Sequence, residues 1–261
     1  MSEYVSSKNN EKIKILRKLA NKKYRAEYGL FLIEGHKLVG EYLDSGNVPQ
    51  KVYATEKAAE KYKDMLADID EELICIIPED LYLYVSTEQA PQGILAVCRI
   101  PKNEFVIKNG TAILLESIRD AGNLGTIIRT AGALGIDNII MSSDCADIYN
   151  PKTLRASMGA VFRANICISR NVIDTVDDLK KTGKRVYAAM PSQTAVDIRN
   201  VKLSADDVIA IGNEGNGISD ELAAVCEGHI TIPMVEGAES FNASVAAAIL
   251  MWELVRGNDN V

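Results

Sequence analysis

"TAILLESIRDAGNLGTIIRTAGALGIDNIIMS", residues 111–142, holds a short apolar run, a glycine-containing turn, an amphipathic segment and a second apolar run. Leu124, Ile127, Ile128, Ala131 and Leu134 follow the i, i+3, i+4, i+7 spacing, which predicts a helix from Asn123 with one buried stripe. Arg129 falls outside that stripe, on the side shared with Thr126 and Ala133, and poses the question of what a charge does among such small neighbours. Downstream the alternation continues through "NICIS", the helix "TVDDLKKTG", "RVYAAM", "DVIAIGNE", the helix "SDELAAVC", "HITIPM" and a final helix from about Phe241 to Arg256. A further helix is expected near "PKTLRASMGAV". Short apolar strands alternating with helices predict an α/β fold with a parallel sheet covered on both faces. Ligands of such sheets bind beyond the carboxyl ends of the strands.

Working outward, "PKNEFVIKNG" at 101–110 reads as a linker, leaving 1–100 and 111–261 as two domains. The first half reads as helix, helix, strand "KVYAT", helix "EKAAEKYKDML", strand "LICIIP", helix "EDLYLYVS" and strand "GILAVCRI", a small α/β unit. No internal repeat or low-complexity segment interrupts either half, which excludes solenoids.

The 261 residues are 47% hydrophobic, ample for buried cores. The five cysteines form no C-x-x-C pair and sit mostly in apolar runs, the pattern of reduced core thiols in a cytoplasmic protein. His36 and His229 lie far from each other and from the cysteines in sequence, so no metal site is expected. The polar start "MSEYVSSKNNEK" predicts no signal peptide, and no run is long enough to span a membrane. The net charge of -7 hides a basic run of Lys8, Lys12, Lys14, Arg17, Lys18, Lys22, Lys23 and Arg25 against Glu11 alone. That run reads either as a solvated amphipathic helix with Ile13, Leu16 and Ala20 inward, or as a phosphate-contacting patch.

Four stretches could carry chemistry. Gly122 and Gly125 flank Asn123 at a helix start, where backbone N–H groups suit an anion or a carbonyl. The strand, Gly-x-x-Gly, helix, strand and Asp144 mimic a dinucleotide-binding turn, the mark of a nicotinamide-dependent dehydrogenase, but position 120 is Asp120 where that turn needs its first glycine. "VIAIGNEGNGIS" surrounds Asn213 and Glu214 with Gly212, Gly215 and Gly217, a density that permits close backbone approach or positive φ. "ITIPMVEGAESFNASVAAAILMWEL" puts Ser240, Asn242 and Ser244 at the mouth of an apolar helix, more polar groups than an N-cap requires. "NPKTLRASMGAVFR" carries Lys152, Arg155 and Arg163, which face a polyanion or solvent.

"NLGTIIR", "IGNEGNGIS" and "IPMVEGAESFNASVAAAI" resemble, in order and spacing, the three motifs of the SpoU (TrmH-like) RNA 2′-O-ribose methyltransferases of the SPOUT superfamily. "KLANKKYRAEYGLFLIEGHKLVGEYL" resembles that family's substrate-binding extension, a ribosomal-protein-like α/β RNA-binding fold. The resemblance implies a C-terminal SPOUT domain with a trefoil knot, S-adenosyl-L-methionine as cofactor, no metal, and a homodimer whose two subunits complete the site. It places the methyl acceptor near Asn123, Arg129, Glu214, Ser240 and Asn242, and the cofactor near Gly212, Ile232 and Phe241, with Met190 and Gly217. Phe241 and Ala243 stand where the family more often has Leu and Val. Lys18, Lys22, Lys23 and Arg155 become the expected RNA contacts. The implied substrate is large-subunit ribosomal RNA, with transfer RNA, or a non-catalytic RNA-binding or ribosome-assembly role on the same fold, as alternatives. For Arg129 two roles stay open: acceptor of the hydroxyl proton, or a cation that grips the adjacent phosphate and stabilises the developing alkoxide. The chemistry of a guanidinium favours the second.

Overall fold

A computed structural model describes residues 3–102, 106–107, 109–192, 194–213, 215–235, 237 and 240–256. The chain divides into two compact units, Met1–Lys102 with Tyr149–Phe162, and Asn103–Ile148 with Arg163–Val261. A single break at 101–110 would leave 149–162 with the second half. Its packing explains the difference: Phe31 meets the Tyr149 ring at 4.4 Å, and Tyr42 meets Phe162 edge-on at 5.0 Å.

The first unit runs β1 (Glu3–Tyr4), α1 (Glu11–Lys18), α2 (Lys22–Tyr28), β2 (Leu30–Glu34), α3 (His36–Asp44), β3 (Lys51–Ala54), α4 (Glu56–Lys61), α5 (Lys63–Leu66), β4 (Ile74–Ile76), α6 (Glu79–Val85) and β5 (Ile94–Arg99). Its sheet has the order β1-β4-β3-β5-β2, parallel from β1 to β3 and antiparallel where β5 meets β3 and β2. β2 corrects the sequence reading, which had only helices ahead of "KVYAT". Five residues of alternating burial are too short for periodicity to tell a strand from a helix turn. Gly29 ends α2 at φ 65° and Gly35 turns the chain at φ 91°, so the segment is bounded as a strand.

Two asparagines cap the basic helices, Asn10 accepting from the Lys12 N–H and Asn21 from the Lys23 N–H. Ile13 and Leu16 are buried as expected, but Leu19 rather than Ala20 points inward, because α1 ends at Lys18 and the chain turns. Arg25 is not a surface cation: it is 2% exposed, and its Nη1 donates to the carbonyls of Leu19 at 2.7 Å and Ala20 at 2.9 Å. It thereby satisfies acceptors at the end of α1.

The second unit holds β6 (Ala112–Leu115), α7 (Ala121–Ala133), β7 (Asn138–Ser142), β8 (Asn165–Ser169), α9 (Val172–Lys181), β9 (Arg185–Ala189), β10 (Val196–Asp197), β11 (Asp207–Ile211), α10 (Asp220–Val225), β12 (Gly228–Thr231) and α11 (Ala243–Val255), while α8 (Pro151–Ser157) belongs to the first unit. The seven strands are all parallel in the order β10-β12-β9-β11-β6-β7-β8. β6 and β11 lie at its centre and are buried along their whole length, as a sheet covered on both faces requires. On α7, Leu124, Ile127, Ile128 and Ala131 are fully buried, each large side chain contributing about 1.5–3 kcal/mol, whereas Leu134 is half-buried at the C-cap. α11 packs Ala247, Leu250, Met251 and Leu254 inward, against α7 and β11.

Burial explains the cysteines: it pushes the Cys98 thiol up to about 12 and the Cys75 and Cys226 thiols up to about 11. None of the five cysteines is in a disulfide. Among the described residues no helix is long and apolar enough to cross a membrane, and no group of three or more His, Cys, Asp or Glu is placed to hold a metal ion.

Candidate active site

Parallel strands end together, so the loops after β6, β9, β11 and β12 converge at one edge of the second unit's sheet. The loop after β6 is tied from several sides. Ser117 takes φ 56°, an unusual backbone for a residue with a side chain, and is held there by its neighbours. Its N–H donates to Ser142 Oγ at 2.9 Å, its hydroxyl donates to Asp144 at 2.6 Å, and its carbonyl accepts from Asn213 Nδ2 at 2.9 Å. Ser142 also donates to Asp144, at 2.6 Å, and these hydroxyls hold the Asp144 carboxyl below the usual carboxylate range. Asp144 is therefore a clamp on the turn into α7, which gives it a role without any dinucleotide. Glu116, only 9% exposed, reaches across to the loop after β11, accepting from the Ser219 N–H at 2.8 Å and its hydroxyl at 2.7 Å.

α7 begins two residues before the expected Asn123, because Asp120 acts as its N-cap and accepts from the Asn123 N–H at 2.8 Å. The residue that breaks the dinucleotide fingerprint is thus the one that starts the helix.

The glycines after β11 serve distinct needs. A Cβ on Gly212 would lie 2.2 Å from the backbone of Gly217, so the chain closes on itself there, with paired Asn213 and Gly217 hydrogen bonds of 3.1 and 2.8 Å. Gly217 has φ +69° with open space around it, so its requirement is backbone conformation. Asn213 Oδ1 accepts from the Gly215 N–H at 2.8 Å while its amide holds Ser117, fastening the glycine loop to the turn before α7.

At the mouth of α11, Asn242 is the N-cap, accepting from the backbone N–H groups of Ser244 and Val245. Its amide donates to Asn123 Oδ1 at 3.1 Å. Beside it opens a cleft of about 480 Å³. Gly212, Ile232, Phe241, Met190 and Gly217, the five residues assigned to the cofactor, all line it, as does Ser240. Asn242, which holds Asn123, stands in sequence between two residues of its lining, Phe241 and Ala243.

The remaining assignments fall elsewhere. Arg129 is exposed and does not line the cleft; it lies six residues beyond Asn123, about 9 Å along α7, and makes no hydrogen bond or ion pair to a described residue. Glu214 lies outside the described residues. Lys18, Lys22 and Lys23 are exposed in the first unit, whereas Arg155 is paired with Glu88 at 2.5 Å. Sequence reasoning missed Ser117, Glu116, Ser142 and Ser219, and saw Asn213 only as one amide among glycines. Strand register explains two of them: Leu115 pairs with Met141, which sets Ser117 beside Ser142 and the already noted Asp144 at the ends of adjacent strands.

Residues 110–252 match the model of the SpoU rRNA Methylase family, and residues 10–96 match that of an MRM3-like substrate binding domain. The chain is 33% identical over 251 residues to the 23S rRNA (guanosine(2553)-2′-O)-methyltransferase RlmP of Bacillus subtilis, covering 96% of this chain and 98% of that protein. It is 27% identical to the 23S rRNA (uridine(2479)-2′-O)-methyltransferase of Streptomyces viridochromogenes, over 91% of this chain and 86% of that one. The solved structure of an AdoMet-bound rRNA methyltransferase from Sinorhizobium meliloti superposes with a TM-score of 0.86, at 29% identity and 98% coverage of both chains. With the parallel sheet, the hydrogen-bonded loops at its carboxyl edge and the family model spanning more than half of the sequence, the chain belongs to the SpoU rRNA methylase family.

Proposed function

We propose that this protein methylates a ribose 2′-hydroxyl of large-subunit ribosomal RNA, using S-adenosyl-L-methionine. The carrying observation is the cleft at the carboxyl ends of β9, β11 and β12, which gathers every residue assigned to the cofactor by motif. The relatives named as 23S rRNA 2′-O-methyltransferases support ribosomal over transfer RNA as substrate.

The cleft suits the cofactor. Its volume falls in the usual range for small-molecule sites, and Ile211, Ile230, Ile232, Phe241 and Leu250 offer apolar surface for a flat base beside polar Asn213 and Ser240. When bound, the cofactor supplies an electrophilic sulfonium methyl to a ribose oxygen aligned behind it. The chain's own work is positioning, which can contribute roughly 7–11 kcal/mol. Asn123 and Asn242, linked to each other and to the two helix starts, present carboxamides at the edge where the ribose enters. Arg129 provides a fixed positive charge. Because a guanidinium keeps its proton, we assign it to gripping a phosphate and stabilising the developing alkoxide rather than to accepting the proton. Glu214 is retained as a positioning group from the sequence motif.

We assign RNA engagement to 1–100, the link to 101–110 and methyl transfer to 111–261, except that 149–162 packs with the first unit and brings Arg155 to the RNA-engaging part. A homodimer completes the site. This is supported by α11, which exposes Val245 (47%) and Trp252 (51%) seven residues apart on one side, and by the position of Arg129 outside its own subunit's cleft. The trefoil knot is supported by the chain after β12, which turns back so that α11 packs against α7 and β11. The reduced thiols, four of the five buried, support a cytoplasmic location.

The test is transfer of labelled methyl from S-adenosyl-L-methionine to total RNA from a strain lacking the gene, followed by mapping of ribose methylation. Incorporation at a single ribosomal RNA nucleotide is expected. Cofactor binding without transfer to any RNA would leave the non-catalytic alternative standing, and incorporation into transfer RNA would overturn the substrate assignment.

A further inference from the structure

Resting on the RNA reading of the first unit, we propose that the surface of α1, α2 and α6 is a stacking platform for unpaired RNA nucleotides, built from Tyr84, Tyr24 and Tyr28 with Lys8, Arg17, Lys18 and Lys23. The sequence showed a basic run; the structure adds rings to it. Lys8 Nζ lies 4.9 Å from the centre of the Tyr84 ring, and the Arg17 guanidinium lies 4.3 Å from the same ring. Lys18, the next residue, sits over Tyr24 at 5.5 Å and Tyr28 at 6.0 Å, and Lys23 lies 5.8 Å from Tyr24. Tyr24 and Tyr28 are themselves stacked at 6.3 Å with planes 20° apart. Cations and rings thus gather in two clusters, one about Tyr84 and one about Tyr24 and Tyr28, to which α1 contributes the consecutive Arg17 and Lys18.

Unpaired charge sets these two clusters apart in an acidic protein. Lys12 and Lys51 pair with Glu3, Lys14 with Glu11, Arg155 with Glu88. Lys8, Arg17, Lys18, Lys22 and Lys23 form no ion pair with a described carboxylate. Glu11 is occupied by Lys14 at 2.6 Å, which leaves Glu27 of α2 and Glu79 and Asp80 in the first turn of α6 against five cations. The net positive charge suits a polyanion. The rings narrow the choice: a base stacks on a tyrosine face or a guanidinium plane only when it is free of its own helix, and the displaced ammonium can move to that nucleotide's phosphate. In a paired helix the bases are enclosed and only the phosphates remain to be read.

The full chain is titrated with a short labelled unpaired oligoribonucleotide and with a duplex of equal length, across a range of salt. Tyr84→Ala and Tyr24→Ala are each expected to weaken unpaired RNA binding by about tenfold with the salt slope unchanged. Tyr84→Phe and Tyr24→Phe should bind as wild type, and duplex binding should move little. Lys18→Ala with Lys23→Ala should weaken both RNAs and flatten the salt slope. Tyr28 packs against the core, so the exposed Tyr84 decides the matter if Tyr24→Ala lowers the melting temperature. Wild-type affinity in a folded Tyr84→Ala variant, or equal losses on unpaired and paired RNA, overturns the platform. Ring-dependent binding with no methyl transfer would instead overturn the transferase reading alone.

Discussion

Asn242 donates its amide N–H to Asn123 Oδ1 at 3.1 Å, joining two helix starts 119 residues apart in sequence. The same side chain caps α11 through its carbonyl, so one carboxamide both begins a helix and fixes the edge of the cleft. The two duties can be separated. Asn242→Ala should lose the cap, about 1 kcal/mol, together with transfer activity. Asn242→Ser keeps a capping oxygen but is too short to reach Asn123, so its melting temperature should stay near wild type while methyl transfer falls. Equal activity in Asn242→Ser and wild type would remove the Asn123 contact from the mechanism.

Gly212 and Gly217 should fail in different ways. Gly212→Ala places a methyl group against backbone that cannot move aside, so the loop must open, with loss of both stability and cofactor affinity. Gly217→Ala meets open space and pays only for a left-handed backbone, roughly 1–2 kcal/mol. Thermal melts with and without S-adenosyl-L-methionine distinguish the two.

Arg129→Ala should abolish methyl transfer while leaving cofactor affinity nearly intact, since the side chain does not line the cleft. Arg129→Lys should retain little activity, because an ammonium cannot present the paired donors of a guanidinium to a phosphate. Single-turnover transfer and cofactor titration, run side by side, read the two effects. Near-wild-type turnover in the Ala variant would take Arg129 out of the reaction.

Asp144 links the turn before α7 to pH. Its carboxyl is held below its ordinary value in the folded protein, so the stability it confers is present above the unfolded value near 3.9 and is lost as pH falls through the folded value. Asp144→Asn should therefore melt below wild type at neutral pH, and the gap should close below about pH 4. A gap that is constant with pH would mean that the ionised carboxylate adds nothing beyond its shape.

The exposed side of α11 predicts assembly. Trp252→Glu, a change at a half-exposed position, should yield a folded monomer by sedimentation and reduce transfer with it. A monomeric wild type that is fully active would overturn the dimer.

Much of this protein is determined by its sequence alone. The stripe of Leu124, Ile127, Ile128 and Ala131, the apolar β6 and β11, and the glycine cluster at 212–217 are local patterns, and local spacing dictates local structure. Only the tertiary structure decided the rest. β2 is a strand because β5 lies beside it, Arg25 is internal because α1 ends where it can be capped, and Asp120 starts a helix in place of a missing glycine. Ser117, Asn213, Glu116 and Ser219 become one stitched edge because their strands are parallel neighbours, a proximity that no spacing along the chain encodes. Hydrogen bonds between distant residues depend on strand order, and strand order is settled by the burial of the whole sheet.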